Sequence, residues 1–204
     1  MKRAYIFGGG IYHKEFPVIT ADDFIIAADK GCEILKAKGI CPHISVGDFD
    51  SSSFIPAENA VVLPVEKDVT DTAAAVEIAL EKGCGEIYIY GGMGGRPDHT
   101  FANYSVIAAL SRKGVKAFLV GEGYEITAVT DGKISVTGKK GETVSVFSFS
   151  ESSEGVSLKG LKYRLDDVTL VNTFPIGVSN SFEDSVAEIS VKKGTLLIMR
   201  ENRC

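Results

Sequence analysis

Glu86-Ile87-Tyr88-Ile89-Tyr90-Gly91-Gly92-Met93-Gly94-Gly95-Arg96-Pro97-Asp98-His99 is the stretch whose reading decides the fold class. Its first five residues are rich in β-branched and aromatic side chains, which favour a strand. Four glycines then form a loop, and residues 101–113 read as a helix. The loop carries chemistry as well as a turn. Arg96 offers a planar fork for phosphate oxygens. His99 can bond a phosphate or a base, or simply cap the turn that follows.

The order strand, loop, helix recurs on both sides. Residues 4–7 are a short apolar run ending at Gly8-Gly9-Gly10, a turn tight enough to bring backbone N–H groups near a phosphate. No Gly-Lys-Ser/Thr follows, so this is not a Walker motif, and a plain tight loop reads equally well. Residues 24–28 are closed by Asp29-Lys30-Gly31, before a helix over 33–38 that Gly39 stops. Residues 44–46 deliver Gly47-Asp48-Phe49-Asp50-Ser51. Residues 61–65 precede Lys67-Asp68-Val69-Thr70-Asp71, where Thr70 or Asp71 caps an alanine-rich helix over 73–82. Residues 115–120 are a sixth strand. Such alternation predicts a parallel sheet covered by helices. Loops that follow parallel strands share the sheet's carboxyl edge, where ligands bind. Asp29, Asp48, Asp50, Asp68, Asp71 and Asp98 would then converge on one rim, a costly gathering without a cation.

Asp48 and Asp50 make the sharpest case. In an extended segment, side chains at i and i+2 point the same way, so both carboxylates would aim at one point. Magnesium suits them, because it takes oxygen ligands from one or two carboxylates plus phosphates and water. Turn chemistry is the plainer reading of Asp-x-Asp-Ser, and helix capping is the plainer reading of Asp68 and Asp71.

After about Gly121 the grammar changes. Short alternating runs appear over 125–129, 133–136, 143–149, 156–158, 168–170, 187–191 and 195–199. Asp131-Gly132, Lys140-Gly141 and Lys193-Gly194 separate several of them. This pattern predicts an antiparallel sandwich or barrel. The expected fold class is therefore α/β, with an N-terminal parallel-sheet domain over 1–122 and a C-terminal β-sandwich domain over 123–204. In Gly177-Val178-Ser179-Asn180, Ser179 and Asn180 offer polar groups beside apolar Ile176, Val178 and Phe182, a seat for a small, partly aromatic ligand. An ordinary hairpin with Gly177 and Asn180 left-handed is the plainer reading.

Composition narrows the function. The 204 residues carry a net charge of -5, against a nucleic-acid surface, which needs clustered Lys and Arg. No apolar stretch approaches the ~20 residues of a membrane span, and the run at 4–7 is too short for a signal peptide. Cys32, Cys41, Cys84 and Cys204 form no CxxC pair and read as reduced thiols of a cytoplasmic protein.

Taken together, Ala28-Asp29-Lys30-Gly31, Gly47-Asp48-Phe49-Asp50-Ser51, Lys67-Asp68-Val69-Thr70-Asp71, Arg96-Pro97-Asp98-His99 with Asn103, and Gly177-Val178-Ser179-Asn180 resemble the bacterial thiamine pyrophosphokinases, in the family's order and across nearly the whole chain. Lys30, where glycine is commoner, and Ser181, where an acid is commoner, depart from the pattern. The resemblance implies transfer of a pyrophosphoryl group from ATP to the hydroxyl of thiamine, giving thiamine diphosphate and AMP. It implies Mg²⁺ held by Asp48, Asp50 and Asp71, which with Asp98 form the catalytic set. Asp29, Lys30, Asp68, Thr70, Arg96, His99 and Asn103 would serve ATP. Asp98, Ser179 and Asn180 would serve thiamine, with Asp98 either orienting or deprotonating the hydroxyl or binding the aminopyrimidine. Residues 1–122 would be the nucleotide and magnesium domain and 123–204 the thiamine domain. The partners implied are thiamine, ATP and a second copy of the chain, with active sites at the homodimer interface. The rival readings are a magnesium-dependent phosphohydrolase with Asp48 as nucleophile, and a nucleotide-sensing module without catalysis.

Overall fold

The computed structural model describes residues 2–12, 16–49, 59–64, 68–121 and 123–202. Asp50, Ser51 and Lys67 lie outside the described residues. Contacts divide the chain into two units, Met1–Asn103 with Ala117–Glu122, and Tyr104–Lys116 with Gly123–Cys204.

The first unit holds strands β1 (Arg3–Phe7), β2 (Phe24–Ala28), β3 (Ile44–Gly47), β4 (Ala60–Val62), β5 (Glu86–Tyr90) and β6 (Lys116–Gly121) in the order β6-β5-β1-β2-β3-β4. The pairs β1–β2, β1–β5, β2–β3 and β3–β4 are all parallel. The chain builds outward from β1 to β4, then returns to lay β5 on the other side of β1. The switch point of the sheet therefore falls between β1 and β5. Four of the five residues in both β1 and β2 are buried, as expected of strands covered on both faces. Phe7, Ile25, Ala27, Leu35 and Phe49 form the centre of one core cluster, and Tyr5, Tyr88 and Phe118 stack at 5.2 and 4.9 Å.

Helices α1 (Gly31–Ala37), α2 (Asp71–Glu81) and α3 (Pro97–Arg112) complete the α/β pattern. Thr70 caps α2, its Oγ1 accepting from the Ala73 N–H at 3.2 Å, and Asp71 is the first helical residue. Helix α3 starts four residues before the expected position. Proline suits the first helical turn, where no N–H partner is lost, so Asp98 and His99 belong to the helix rather than to the loop. Strand β4 ends at Val62, short of the expected 65; Pro64, just beyond, has no N–H for a ladder.

A part-buried ion pair anchors the start of the sheet. Asp23 is 3% exposed. It accepts from Arg3 Nε and Nη2 at 2.7 and 3.1 Å, and from Thr20 N and Oγ1 at 2.8 and 2.9 Å. Burial pushes its carboxyl up, but the Thr20 N–H, the Arg3 guanidinium and the Thr20 hydroxyl together hold it below its ordinary value. Asp23→Asn should cost about 2 kcal/mol at neutral pH, the scale of a hydrogen bond to a charged group. A depressed folded pKa stabilises above the unfolded value of about 3.9 and is lost as pH falls through the folded value. Urea unfolding of both proteins at neutral and strongly acidic pH checks this, and a gap independent of pH would contradict it.

The second unit contains β7 (Tyr124–Thr130), β8 (Lys133–Thr137), β9 (Thr143–Ser148), β10 (Ser152–Lys159), β11 (Leu165–Val171), β12 (Asn180–Ser181), β13 (Val186–Ser190) and β14 (Thr195–Glu201). They form two antiparallel arrays, β12-β9-β14-β7 and β11-β10-β13-β8. Val129, Val144, Val146, Leu196 and Ile198 from one meet Val136, Val156, Leu158, Ala187 and Ile189 from the other in a single core. The expected fold class, a parallel α/β part followed by an antiparallel β-sandwich, is the one observed. The two-residue β12 gives no periodic signal and was not expected. Among the described residues, no helix is long and apolar enough to cross a membrane.

Candidate active site

A cleft of about 690 Å³ opens at the carboxyl edge of the parallel strands. Every wall comes from a segment that follows a strand. Gly8-Gly9-Gly10 follow β1, Asp29 and Lys30 follow β2, Asp48 follows β3, and Thr70-Asp71-Thr72 open α2 beyond β4. Gly91, Gly92, Gly95 and Arg96 follow β5, with His99 and Asn103 from α3. The parallel topology thus gathers residues 8 to 103 on one rim.

Two glycine loops form the floor at the switch point. They are joined backbone to backbone: Gly8 N–H donates to Tyr90 O at 2.8 Å, Gly10 N–H to Gly91 O at 2.7 Å and Ile11 N–H to Met93 O at 2.9 Å. A Cβ on Gly10 would fall 2.4 Å from Gly91 O, so this approach requires glycine. Tyr12 secures the first loop by donating its hydroxyl to Gly8 O at 2.6 Å. Burial raises its phenol well above the ordinary value, so it remains a donor.

Of the six aspartates expected on the rim, Asp29, Asp48 and Asp71 line the cleft; Asp68 and Asp98 are not among its lining residues, and Asp50 is outside the described residues. The alternation expected for Asp48 and Asp50 turns on Asp50, which lies outside the described residues. Strand β3 ends at Gly47, and Phe49 between the two adopts φ 56°. Phe49 is 4% exposed and belongs to the core cluster beneath. Its burial offsets a conformation that bulky residues avoid. Asp29 also takes a positive φ of 48°, with its N–H donating to Val46 O at 2.8 Å.

Arg96 and Asp98 form a two-pronged pair, Nε to Oδ1 at 3.1 Å and Nη2 to Oδ2 at 2.5 Å. The guanidinium holds the Asp98 carboxyl below its ordinary range. Asp98 also accepts from the His99 N–H at 3.0 Å. A carboxylate kept acidic in this way is better suited to orient a hydroxyl than to remove its proton. Both side chains are exposed, and such pairs exchange partners at little cost.

Ser179 and Asn180 lie in the second unit and differ sharply. Ser179 is exposed in a left-handed conformation, φ 56°, its N–H donating to Ser145 Oγ at 3.1 Å. Asn180 is 4% exposed. Its Oδ1 accepts from Tyr163 N and Ser181 N, both at 2.9 Å, and its Nδ2 donates to Tyr163 O at 2.7 Å. The plainer reading makes Gly177 and Asn180 left-handed, but the residue with positive φ in this loop is Ser179. Sequence reasoning did not single out Thr72, Met93 or Thr100 of the cleft wall, because no local pattern marks them.

Among the described residues no group of three or more His, Cys, Asp or Glu side chains is drawn together as a metal cage. Magnesium does not need one, since it binds through one or two carboxylates, phosphate oxygens and water. Oxygen-only acids facing a glycine floor and an arginine fit that chemistry.

Residues 17–119 match the family described as thiamin pyrophosphokinase, catalytic domain, and residues 131–196 match its vitamin B1 binding domain. A Bacillus subtilis thiamine pyrophosphokinase is 30% identical over 185 residues, 86% of this chain and 86% of its own length. The chain belongs to the thiamin pyrophosphokinase family. A Caenorhabditis elegans family member, thiamin pyrophosphokinase 1, is 28% identical over 81% of this chain and 73% of its own. The crystal structure of the Bacillus subtilis enzyme superposes with a TM-score of 0.90 at 26% identity, covering 100% of both chains. The catalytic-domain match spans most of the cleft's walls, and the B1-binding match contains Ser179 and Asn180.

Proposed function

We infer that this chain is a thiamine pyrophosphokinase that moves a pyrophosphoryl group from ATP to the hydroxyl of thiamine, releasing AMP. The observation that carries the reading is a cleft, in a family member, where glycine loops, aspartates and an arginine meet at a sheet's carboxyl edge. Residues 1–122 are the proposed nucleotide domain and 123–204 the proposed thiamine domain.

The thiamine hydroxyl oxygen attacks the β-phosphorus and gives its proton to solvent, the bond from the β-phosphorus to the oxygen bridging it to the α-phosphorus breaks, and AMP leaves in line. Such chemistry is mostly positioning and charge neutralisation. The glycine loops would cradle phosphate through their N–H groups. Lys30 and Arg96 would neutralise phosphate oxygens, Arg96 while still paired with Asp98. Thr70, His99, Asp29 and Asp68 would seat the nucleotide and its ion. Asp48, Asp50 and Asp71 would hold Mg²⁺, which supplies further neutralisation of the polyphosphate. Asp98, kept acidic by Arg96, would orient the thiamine hydroxyl. Ser179 would contact thiamine, and Asn180 would keep the neighbouring backbone in place.

A homodimer is part of the proposal, each site completed by the partner's thiamine domain. Phe174, Ile176 and Val178 are 66%, 54% and 48% exposed on one segment of the second unit, an apolar run that a second copy would cover. The cytoplasm is the proposed compartment, in keeping with the free thiols of Cys32, Cys41 and Cys84.

Incubation with ATP, Mg²⁺ and thiamine, followed by mass analysis, should give thiamine diphosphate and AMP in equal amounts. Phosphate or AMP without the diphosphate would favour a phosphohydrolase, and no turnover would favour a sensing module. The same preparation should sediment at twice the chain mass of 21.8 kDa.

A further inference from the structure

We propose that Asn103 is a positioning residue for the triphosphate, acting on it through the backbone of Gly92. The proposal rests on the reading of the cleft as the site of ATP.

Asn103 projects from α3 and is 4% exposed. Its Nδ2 donates to Gly92 O at 2.8 Å. The two neighbouring carbonyls are also committed, Gly91 O to the Gly10 N–H and Met93 O to the Ile11 N–H. Three consecutive carbonyls of the second glycine loop are therefore tied to protein donors. An untied carbonyl here would present negative partial charge to phosphate oxygens. Backbone grips the outer two, and among the described residues a side chain grips the middle one.

Gly92 is shaped for this clamp. A Cβ there would lie 2.5 Å from Leu119 Cδ1 and 3.0 Å from Asn103 Nδ2. The amide of Asn103 stands where any side chain at 92 would press. Gly92 and Asn103 thus work as one device, and damage to either should have the same consequence.

The test is titration calorimetry with ATP, with inorganic tripolyphosphate and with thiamine, in the presence of Mg²⁺. Asn103→Ala should weaken ATP and tripolyphosphate alike, by about tenfold, the upper end of what one lost hydrogen bond is worth. Thiamine affinity should change less than about twofold, within what a remote site tolerates. Gly92→Ala should reproduce the loss, and the double variant should lose no more than either single one. Asn103→Ser, which keeps a polar side chain too short to reach Gly92, carries the same expectation if the alanine variant does not fold. ATP weakened with tripolyphosphate unchanged would mean that Asn103 reads the base or sugar, and would overturn the proposal. So would unchanged ATP binding, additive losses in the double variant, or equal loss of all three ligands. Failure of the wild-type protein to bind ATP would instead refute the proposed function itself.

Discussion

Asp48→Ala is expected to lower turnover by about a thousandfold or more, the several kcal/mol that a charge-neutralising ion supplies to phosphoryl chemistry. Asp98→Asn should lower it by only about tenfold, below the ~10²- to 10⁴-fold usual for loss of a general base. The ranking follows from surroundings. Asp48 is half-buried on the cleft wall that also carries Asp29 and Asp71, and its loop is held by the buried Phe49. Asp98 is exposed, and Arg96 keeps it a weak base. Steady-state rates at saturating ATP, Mg²⁺ and thiamine decide the matter. Comparable residual activity in the two variants would remove Asp48 from its proposed role.

Gly177→Ala is expected to destabilise the second unit by about 3 kcal/mol, the upper range for inserting a methyl group into filled space. A Cβ at this position would fall 1.9 Å from Val146 O. That oxygen is backbone of β9, which β14 holds on its other side, so no side chain can swing away to make room. Val146 N–H also donates to Gly177 O at 2.9 Å, so moving residue 177 strains the same rung twice. The melting temperature should fall by roughly 6–12 °C, given about 2–4 °C per kcal/mol for a chain of this size. Ser179 follows two residues later, so thiamine KM should rise in the surviving protein while ATP KM stays near wild type. An unchanged melting temperature would show that the β9 contact yields freely.

Much of the fold was legible because its signals are local. The strands Phe24–Ala28 and Glu86–Tyr90 have the bounds that their apolar runs predict. Glycine and proline punctuate the loops that follow, and alternation with Asp131-Gly132 and Lys193-Gly194 announces the sandwich. The errors also have local causes. Pro97 was read as a loop residue, although proline at a first helical turn extends a helix toward its start. The two residues of β12 are too few to show any period.

Sequence by itself determined the class of the fold, the family, and which acids, glycines and cations were available for the site. Only the tertiary structure decided how they are used. Parallel pairing on either side of β1 brings loops some eighty residues apart into direct backbone contact, a relation with no trace along the chain. Asp48 and Asp71 line the cleft, whereas Asp98 is engaged by Arg96. The fold also turns Asn103 and Asn180, read from sequence as ligand contacts, toward the carbonyls of Gly92 and Tyr163. The physical reason is burial: once water is excluded, a side-chain amide must satisfy the nearest unpaired backbone group, and packing alone selects which group that is.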